Sequence, residues 1–416
     1  MIRAVFDDIL ESFEDRLTFS NAATVLDLGS AQEQVYTRDK VWLPMPMIGS
    51  SYDGFDQTSN FDGLTQMWVP ASVGFHKASP KKLSAKEYRN KNAVDMYGEA
   101  VKSKLTSDVN KALRQRVALE GSIFTKRTVA PTGYDDFALS AAQMTEVGVP
   151  YENRNLAIGV RSAIGVKSNV AQRQTMGDLS ISAYERNKIS DNLAGFTAFE
   201  DDQAIRLAAA TGGTTTVNGA NQYWEPAATT VQTDGTENNR DNRYSPLVVT
   251  AAAIANVKAG DAFTIAGVNS VHMESKQDTG QLQTFRVISV NTATNTLTVA
   301  PAIISNGGNT IGGREYQNVT ATPANGAAIT WLNTALAEVN PFWVKGALGI
   351  LPGTFEVEPE DGWDVMQATT EKLGIRIICT KQGSINDLSL KIRWDIDFGT
   401  VLLQPMFAGA AMFNQI

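Results

Sequence analysis

The sequence predicts an α+β chain that carries a separate all-β module inserted within it. Three observations predict this. Residues 81–120 hold one long helical pattern, in which Tyr97, Val101, Leu105, Val109, Leu113 and Val117 recur at steps of four with no proline between them. From residue 211 to 340 only fifteen residues are charged, Thr, Asn, Ala and Gly dominate, and short strand-like runs alternate with turn signals. Residues 388–398 alternate apolar and polar side chains (Leu388, Leu390, Ile392, Trp394, Ile396, Phe398), as a strand with one buried face does.

The whole-chain numbers fit this class. A length of 416 residues suggests two or three domains. With 43% hydrophobic and 19% charged residues the composition is that of an ordinary soluble globular protein. No run approaches the roughly 18 apolar residues of a membrane span. The first 17 residues are acidic (Asp7, Asp8, Glu11, Glu14, Asp15), whereas a signal peptide starts basic. The single Cys379 excludes an internal disulfide and any cysteine-rich zinc site, and a reducing cytosol suits its synthesis. A net charge of −8 argues against general nucleic-acid binding. Only His76 and His272 are present, far apart, so a histidine metal centre is not expected.

Taken in order, Ile2, Val5, Phe6, Ile9, Leu10, Phe13 and Leu17 fall on one helical face opposite an acidic one. Such a helix must dock on its own subunit or on a neighbour. Residues 35–45 and 66–75 read as two strands, with Trp42 and Trp68 in them. Between them, residues 46–64 are rich in Gly, Ser and Asp and carry Tyr52, Phe55 and Phe61. A loop near twenty residues is unusual inside a compact domain. An exposed hairpin bearing aromatics is more often a protein-contact device than a catalytic one.

For the long helix, Ser84 with Glu87 three residues on has capping-box spacing, and Gly121 is a stop signal. At about 1.5 Å per residue it would be roughly 50 Å long. Each step of four overshoots the turn by roughly 40°, so the apolar stripe winds and the two ends meet different partners. From 81 to 120 there are ten Lys or Arg and five Asp or Glu, a net of +5. The choices are a solvated face paired with the acidic N-terminal helix, or loose contact with nucleic acid.

Residues 141–207 look α/β, with a strand at 156–160 and a strand or turn around Leu193-Ala194-Gly195-Phe196. In the charge-poor stretch, strand-like runs at 247–250, 262–266, 284–290, 296–300 and 328–332 suggest a small barrel or sandwich. Its loop 232–243 concentrates Asp234, Glu237, Arg240, Asp241 and Arg243, which suits either a salt-bridged contact with a partner or a solvated hairpin. After 342 the chain is strand-rich to its end, with an apolar run at 376–380.

Catalytic patterns are missing. There is no Gly-x-Gly-x-x-Gly, no Walker-type loop and no Gly-x-Ser-x-Gly elbow. Asp395 and Asp397 could form a carboxylate pair, but their flanks read as an amphipathic strand with these acids on its solvent face. Glu356, Glu358, Glu360 and Asp361 read first as a solvated loop, then as a subunit contact, and last as a cation site. Cys379, within Ile377-Ile378-Cys379, reads as a buried inert thiol. Asn318-Val319-Thr320 matches a glycosylation sequon, without meaning in a bacterial or viral cytosolic product.

Several of these stretches resemble the coat protein of the phage P22 family. They are Asp241-Asn242-Arg243-Tyr244, the run from Val257 to Val268, Phe285-Arg286-Val287-Ile288, Arg314-Glu315-Tyr316-Gln317-Asn318-Val319 and Asn340-Pro341-Phe342-Trp343. Val41-Trp42-Leu43-Pro44, Gly54-Phe55-Asp56 and Leu193-Ala194-Gly195-Phe196 follow the same order outside the insert. The resemblance implies the HK97-like capsid fold and a major capsid protein of a tailed phage. It implies an N-terminal arm (1–30), an E-loop hairpin reaching a neighbour (31–77) and a peripheral domain with its spine helix (78–133). An axial domain (134–221 and 342–371), an inserted barrel-like β domain (222–341) and C-terminal strands (372–416) complete the chain. It places Asp234 and Arg286 as acidic and basic members of a contact across two-fold axes. Glu237 stands where a basic residue is expected and Gln232 where an acidic one is, so that contact is rewired or weakened here. The candidate inter-subunit residues are therefore Asp234, Glu237, Arg240, Arg286, Trp42, Tyr52 and Phe55.

The partners implied are copies of the chain itself in pentamers and hexamers of an icosahedral shell, a scaffolding protein, a portal protein at one vertex, and packaged dsDNA by non-specific contact. A decoration protein fits the same picture; a membrane does not. Assembly is expected in the host bacterial cytoplasm and the final place is the virion. No enzyme activity, cofactor or metal is expected. The alternative is a phage tail or fibre protein whose β module grips a carbohydrate, which requires exposed aromatic clusters in the insert. A hydrolase would need a convergent acid, base or nucleophile set, and the sequence offers none.

Overall fold

The structure is a computed structural model. It describes residues 1–416 except 1, 14–16, 27–39, 50, 59–60, 62, 64, 173–191, 251–253, 309, 356 and 359–362. The start of the strand expected at 35–45, part of the α/β stretch 141–207, and Glu356, Glu360 and Asp361 of the acidic run lie outside the described residues. The chain divides into two compact units. One comprises residues 1–41, 70–114 and 348–401; the other comprises 42–69, 115–347 and 402–416.

The first unit is built on one sheet. Its central strand, Ser389–Leu402, pairs antiparallel with Arg376–Ser384 on one side and with Phe75–Ser84 on the other. Trp363–Thr369 extends the sheet beyond Arg376–Ser384, and Leu348–Pro352 adds Thr24–Val25 in parallel. Ile392, Trp394, Ile396 and Phe398 are buried, as the alternation requires. The helix Ile2–Phe13 buries Val5, Phe6, Ile9 and Phe13, and the Phe6 ring stacks on Trp394 with centroids 5.9 Å apart. The acidic face carries Asp7 and Asp8 outward. Residues 2–13, the start of the expected N-terminal arm, thus form a helix docked on their own unit. Their apolar stripe is satisfied inside their own unit, where exposing it would lose the burial of four large side chains.

The long helix is shorter than its pattern predicts. Ser84 and Glu87 do form a capping box, with the Ser84 N–H donating to Glu87 Oε2 at 2.8 Å, but the box starts only the single turn Ala85–Tyr88. The chain breaks at Arg89-Asn90, and the helix proper is Lys91–Glu120, about 45 Å at 1.5 Å per residue. Asn90 supplies the reason. Asn favours the position before a helix, and its carbonyl accepts the first helical bond from Val94 N–H at 3.3 Å. The winding stripe is present: Val101, Leu105, Val109, Leu113 and Val117 are all buried. Residues 91–114 belong to the first unit and 115–120 to the second.

The second unit holds two six-stranded sheets. The first runs in the order Ile123–Lys126, Ala408–Met412, Asn340–Val344, Arg154–Gly159, Phe196–Asp201 and Asn192–Leu193. Helices Tyr134–Val147 and Val160–Ala171 pack on it through Phe137, Met144, Ala163 and Val166, which meet Leu156, Ile158, Phe196 and Phe342. The order brings strands from before residue 210 beside strands from after 340, so the intervening chain leaves the sheet and returns to it.

That intervening chain forms the second sheet, in the order Thr215–Thr216, Ala328–Trp331, Ala262–Val271, Asp278–Asn291, Thr296–Ala300 and Ser245–Val248. Its two edges meet through the Val217–Val249 bridge, with Asn218 N–H donating to the Val248 carbonyl at 3.0 Å. The sheet thus closes on itself, which leaves no long unpaired edge. Phe263, Phe285, Leu247, Leu297, Val287 and Val299 fill it with no exposed area. The barrel begins at Thr215, ahead of the expected boundary at 222, and Asn340–Val344 already belongs to the other sheet. The composition shift at 211 marks the true start, because charge falls where the strands must pack around a barrel core.

Candidate functional site

The charged loop of the barrel is a hairpin, Thr229–Val231 against Glu237–Asn239. Its turn is closed by Gln232 N–H donating to the Thr236 carbonyl (2.8 Å) and by Gly235 at φ +83°, a conformation glycine adopts freely. Asp234 sits at the tip. Its carboxylate accepts from the Thr236 hydroxyl (2.6 Å) and backbone N–H (3.0 Å), and these two bonds hold its pKa below the usual aspartate value. Glu237 is exposed beside it. Arg240 folds back so that its guanidinium lies 3.7 Å from the Trp224 ring centroid, and burial pushes its pKa down. Arg243 pairs with Asp241 (2.8 Å) and donates to the Leu402 carbonyl (2.7 Å). Of five charges read as one contact surface, the tip presents two, and both are acidic.

Arg286 is corrected outright. It has 0% exposure, its Nη2 donates to the Ala118 carbonyl, and its guanidinium lies 5.2 Å from the Phe124 ring centroid. Burial lowers its pKa to about 10. A side chain enclosed in its own chain cannot pair with Asp234 of another copy. Its work is internal: it sets a cation against the carbonyl end of the long helix, where the helix dipole favours positive charge. Tyr244 donates to Glu120 (3.2 Å) and Thr284 to the Ser122 carbonyl (2.7 Å) at the same junction. Burial raises the Tyr244 pKa well above its ordinary value.

The hairpin loop between the first strands has a fixed root and a free apex. Lys40–Pro44 pairs with Trp68–Ser72, and Trp42 is half-buried there. Met45, Ile48 and Met67 pack with Ala302, Ile304 and Tyr316 of the inserted module. Tyr316 donates to the Thr65 carbonyl at 3.0 Å. Beyond this root Tyr52 is exposed, and Phe55 and Phe61 are almost wholly so. The apex is nonetheless ordered by its own bonds. Asp56 accepts from the Thr58 N–H (3.1 Å) and hydroxyl (2.6 Å), and Gln57 Nε2 donates to the carbonyls of Asp53 (3.2 Å) and Gly54 (2.6 Å). Those Thr58 bonds keep the Asp56 carboxyl below its usual range.

Asp395 is also corrected. It is buried, accepts from Arg393 (2.8 Å) and lies 3.2 Å from His76 Nε2; Asp397 is 3.9 Å from His76 Nδ1. The Phe355 ring lies 5.6 Å from the His76 ring, edge to face. Cys379 is buried and its thiol is pushed up to about 12, chiefly by burial, as an inert core thiol. The basic long helix is largely neutralised by its surroundings: Lys102 is buried between Asp8 (3.3 Å) and Glu99, and Lys104 pairs with Asp108 (2.8 Å). Among the described residues no cluster of three metal-ligating side chains occurs, and no helix is long and apolar enough to cross a membrane. Among the described residues of the insert, Phe263, Phe285 and Tyr316 are buried and Tyr223, Trp224, Tyr244 and Trp331 half-buried, whereas an aromatic sugar platform needs exposed rings.

One surface was missed by sequence reasoning. In the first unit Lys82, Lys391 and Gln382 stand in register across three strands, and Pro80, Arg393 and Thr380 form the next row on the same face. They line an open cleft of about 420 Å³. Lys82 and Lys391 are some three hundred positions apart, so only strand register could have revealed the cluster.

A family model described as "P22 coat protein - gene protein 5" matches residues 1–414. Among solved structures, the capsid of cyanophage P-SCSP1u matches at TM-score 0.47 and 11% identity, covering 95% of this chain and 88% of that one. A Mycobacterium phage Che8 chain matches at TM-score 0.45 and 10% identity, covering 95% and 90%. The CUS-3 coat protein I-domain is 38% identical over 30% of this chain and 98% of its own, at TM-score 0.23. The weight rests on the family model, which runs continuously through both flanks and the insert.

Proposed function

The chain belongs to the P22 coat protein family, and from that premise we propose that it builds its shell with a scaffolding protein, around dsDNA that enters through a portal protein at one vertex. It is a major capsid protein of a tailed phage, with the HK97-like α+β capsid fold and an inserted β domain, and its place is the virion. Copies of it self-assemble into the shell. The single observation behind this reading is the family match over residues 1–414.

The finer reading assigns parts to segments. Residues 31–77 act as the E-loop, 78–133 carry the spine helix of the peripheral domain, and 134–221 with 342–371 form the axial domain. Residues 222–341, widened to start at 215, form the outer insertion domain, and 372–416 close the sheets. Trp42, Tyr52 and Phe55 serve contacts between copies, and the exposed aromatics at the hairpin apex support this. Asp234 and Glu237 present an acidic tip to a basic partner surface. Closed rings follow when a heterologous contact repeats with rotational symmetry, and many weak contacts add up through multivalency. Assembly takes place in the host cytoplasm, and the chain has no catalytic part. The test is expression of the full chain with its scaffolding protein: closed shells by electron microscopy support the reading, and protein that stays monomeric under all such conditions counts against it.

A further inference from the structure

We propose that Asn306 is a site of spontaneous modification, where the side-chain amide is lost to attack by the Gly307 backbone nitrogen and an aspartate or isoaspartate remains. The co-reactant is water alone, and the inference does not depend on the shell reading. Asparagine before glycine is the sequence most prone to this reaction, because glycine leaves the attacking nitrogen unhindered and the backbone free to turn. The chain holds three such pairs, Asn218-Gly219, Asn306-Gly307 and Asn325-Gly326, all in the inserted module and each with its asparagine exposed. The fold treats them differently.

Two of the glycine nitrogens are tied down. Gly219 N–H donates to Asn325 Oδ1 at 2.8 Å, and Gly326 N–H donates to the Val217 carbonyl at 2.9 Å. These two pairs lock one corner of the barrel, beside the Val217–Val249 bridge that closes it. Each nitrogen must give up its bond before it can turn to its own asparagine. Gly307 N–H has only the Ser305 hydroxyl, at 3.4 Å, beyond the usual length of such a bond, and that hydroxyl is engaged with Thr322 at 2.6 Å. Asn306 and Gly307 are both exposed. Packing explains why the glycine stays: a Cβ at 307 would meet Thr322 Oγ1 at 2.8 Å and the Tyr223 ring at 3.2 Å.

In the reaction the Gly307 nitrogen gives its proton to solvent and bonds to Asn306 Cγ. The Cγ–Nδ2 bond breaks, and the amide leaves as ammonia, taking up a proton. One water then opens the cyclic imide. Cleavage of the new N–Cγ bond restores the backbone with aspartate at 306, whereas cleavage at the backbone carbonyl carries the chain through Cγ as isoaspartate. Either product places a negative charge on the turn whose Gly308 lies against the Glu225 carboxylate.

Peptide mass spectrometry of the folded chain, incubated in heavy-oxygen water at neutral pH, tests this. Asn306 takes up the label about tenfold faster than Asn218 or Asn325, the factor expected from opening one hydrogen bond. In urea, where no fold protects any of them, the three rates converge. Asn325→Ala releases the Gly219 nitrogen and speeds the reaction at Asn218 about tenfold, whereas Asn325→Asp keeps the acceptor oxygen and leaves Asn218 slow. Asn306→Gln, at an exposed position, abolishes the fast product. Asn218 or Asn325 reacting as fast as Asn306 in the folded chain overturns the proposal. So does a rate ratio that persists in urea, which assigns it to neighbouring sequence, and so does an Asn325→Ala chain that melts like wild type yet leaves Asn218 slow. Where Asn325→Ala lowers the melting temperature, the comparison of folded chain with urea decides alone.

Discussion

Gly98 is the one glycine inside the helix Lys91–Glu120, and the structure shows why it is there. A Cβ built on it would lie 2.2 Å from Val5 Cγ1 of the N-terminal helix, with Val5 Cβ at 3.6 Å and Ile9 Cδ1 at 3.8 Å. Gly98→Ala therefore brings two opposing effects. Better helix propensity contributes about 1 kcal/mol of stability. Overpacking against Val5, which is itself buried, costs about 1–3 kcal/mol. In the wild-type background the substitution is neutral to destabilising by up to about 2 kcal/mol. In a Val5→Ala background the clashing methyl is gone and the closest remaining atom sits at ordinary contact distance. There the same substitution stabilises by about 1 kcal/mol. Urea unfolding of the four monomers measures the cycle, with an expected coupling of about 1–3 kcal/mol. Hydrogen exchange in residues 2–13 adds a local readout, rising in Gly98→Ala alone. A Gly98→Ala effect that is the same in both backgrounds would refute the packing of the N-terminal helix on its own long helix.

Three further predictions follow from buried charge. Asp136 is buried and accepts from Thr132 N–H (2.6 Å), Gly133 N–H (3.2 Å) and Arg127 (2.7 Å); Asp136→Ala leaves these donors stranded and costs about 3–5 kcal/mol in a melting experiment. Burial alone would raise the Asp136 pKa, but those donors outweigh it and hold it below the usual value, so its contribution is present above that value and is lost as pH falls through the folded pKa, visible as an acid limb missing from Asp136→Asn. Lys276 runs the other way: burial lowers its pKa to about 8, so the unfolded chain binds its proton more tightly and stability rises between about pH 8 and 10.5, a rise that Lys276→Met removes. Lys102→Glu destabilises the monomer by burying a carboxylate against Asp8 and Glu99, whereas Lys111→Glu, on the exposed face, leaves both folding and DNA packaging unchanged; lost packaging in Lys111→Glu would restore the nucleic-acid role of the helix.

What the sequence revealed and what it hid divide along physical lines. The long helix, the barrel strands and the strand through Trp394 were readable because each is a local periodic pattern tied to one buried face. The break at Asn90 was harder, since Ser84 and Asn90 are both good starts and only the chain's path decides between them. The charged residues were the least legible. Arg286 and Asp234 look alike in sequence, each a charge in a charge-poor module, yet one is enclosed against a helix end and the other stands at a hairpin tip. Asp395 and Asp397 share a face of one strand, yet the first is buried against His76 and Arg393 and the second is part-exposed. A charge's role depends on what covers it, and that cover comes from chain far away in sequence.

The distribution of charge bears on how copies can associate at all. Each copy carries −8, so copies repel at a distance. At physiological salt that repulsion is screened beyond about 8 Å, whereas a contact made at ion-pair distance is screened much less. Association then depends on local patches whose sign differs from the whole. The cleft with Lys82, Lys391 and Arg393 is such a basic patch, and Asp53 with Asp56, and Asp234 with Glu237, are exposed acidic ones. Moderate salt should therefore speed assembly by damping the net repulsion, and high salt should slow it by weakening the patches. An assembly rate that only rises with salt would assign the contacts to apolar burial alone.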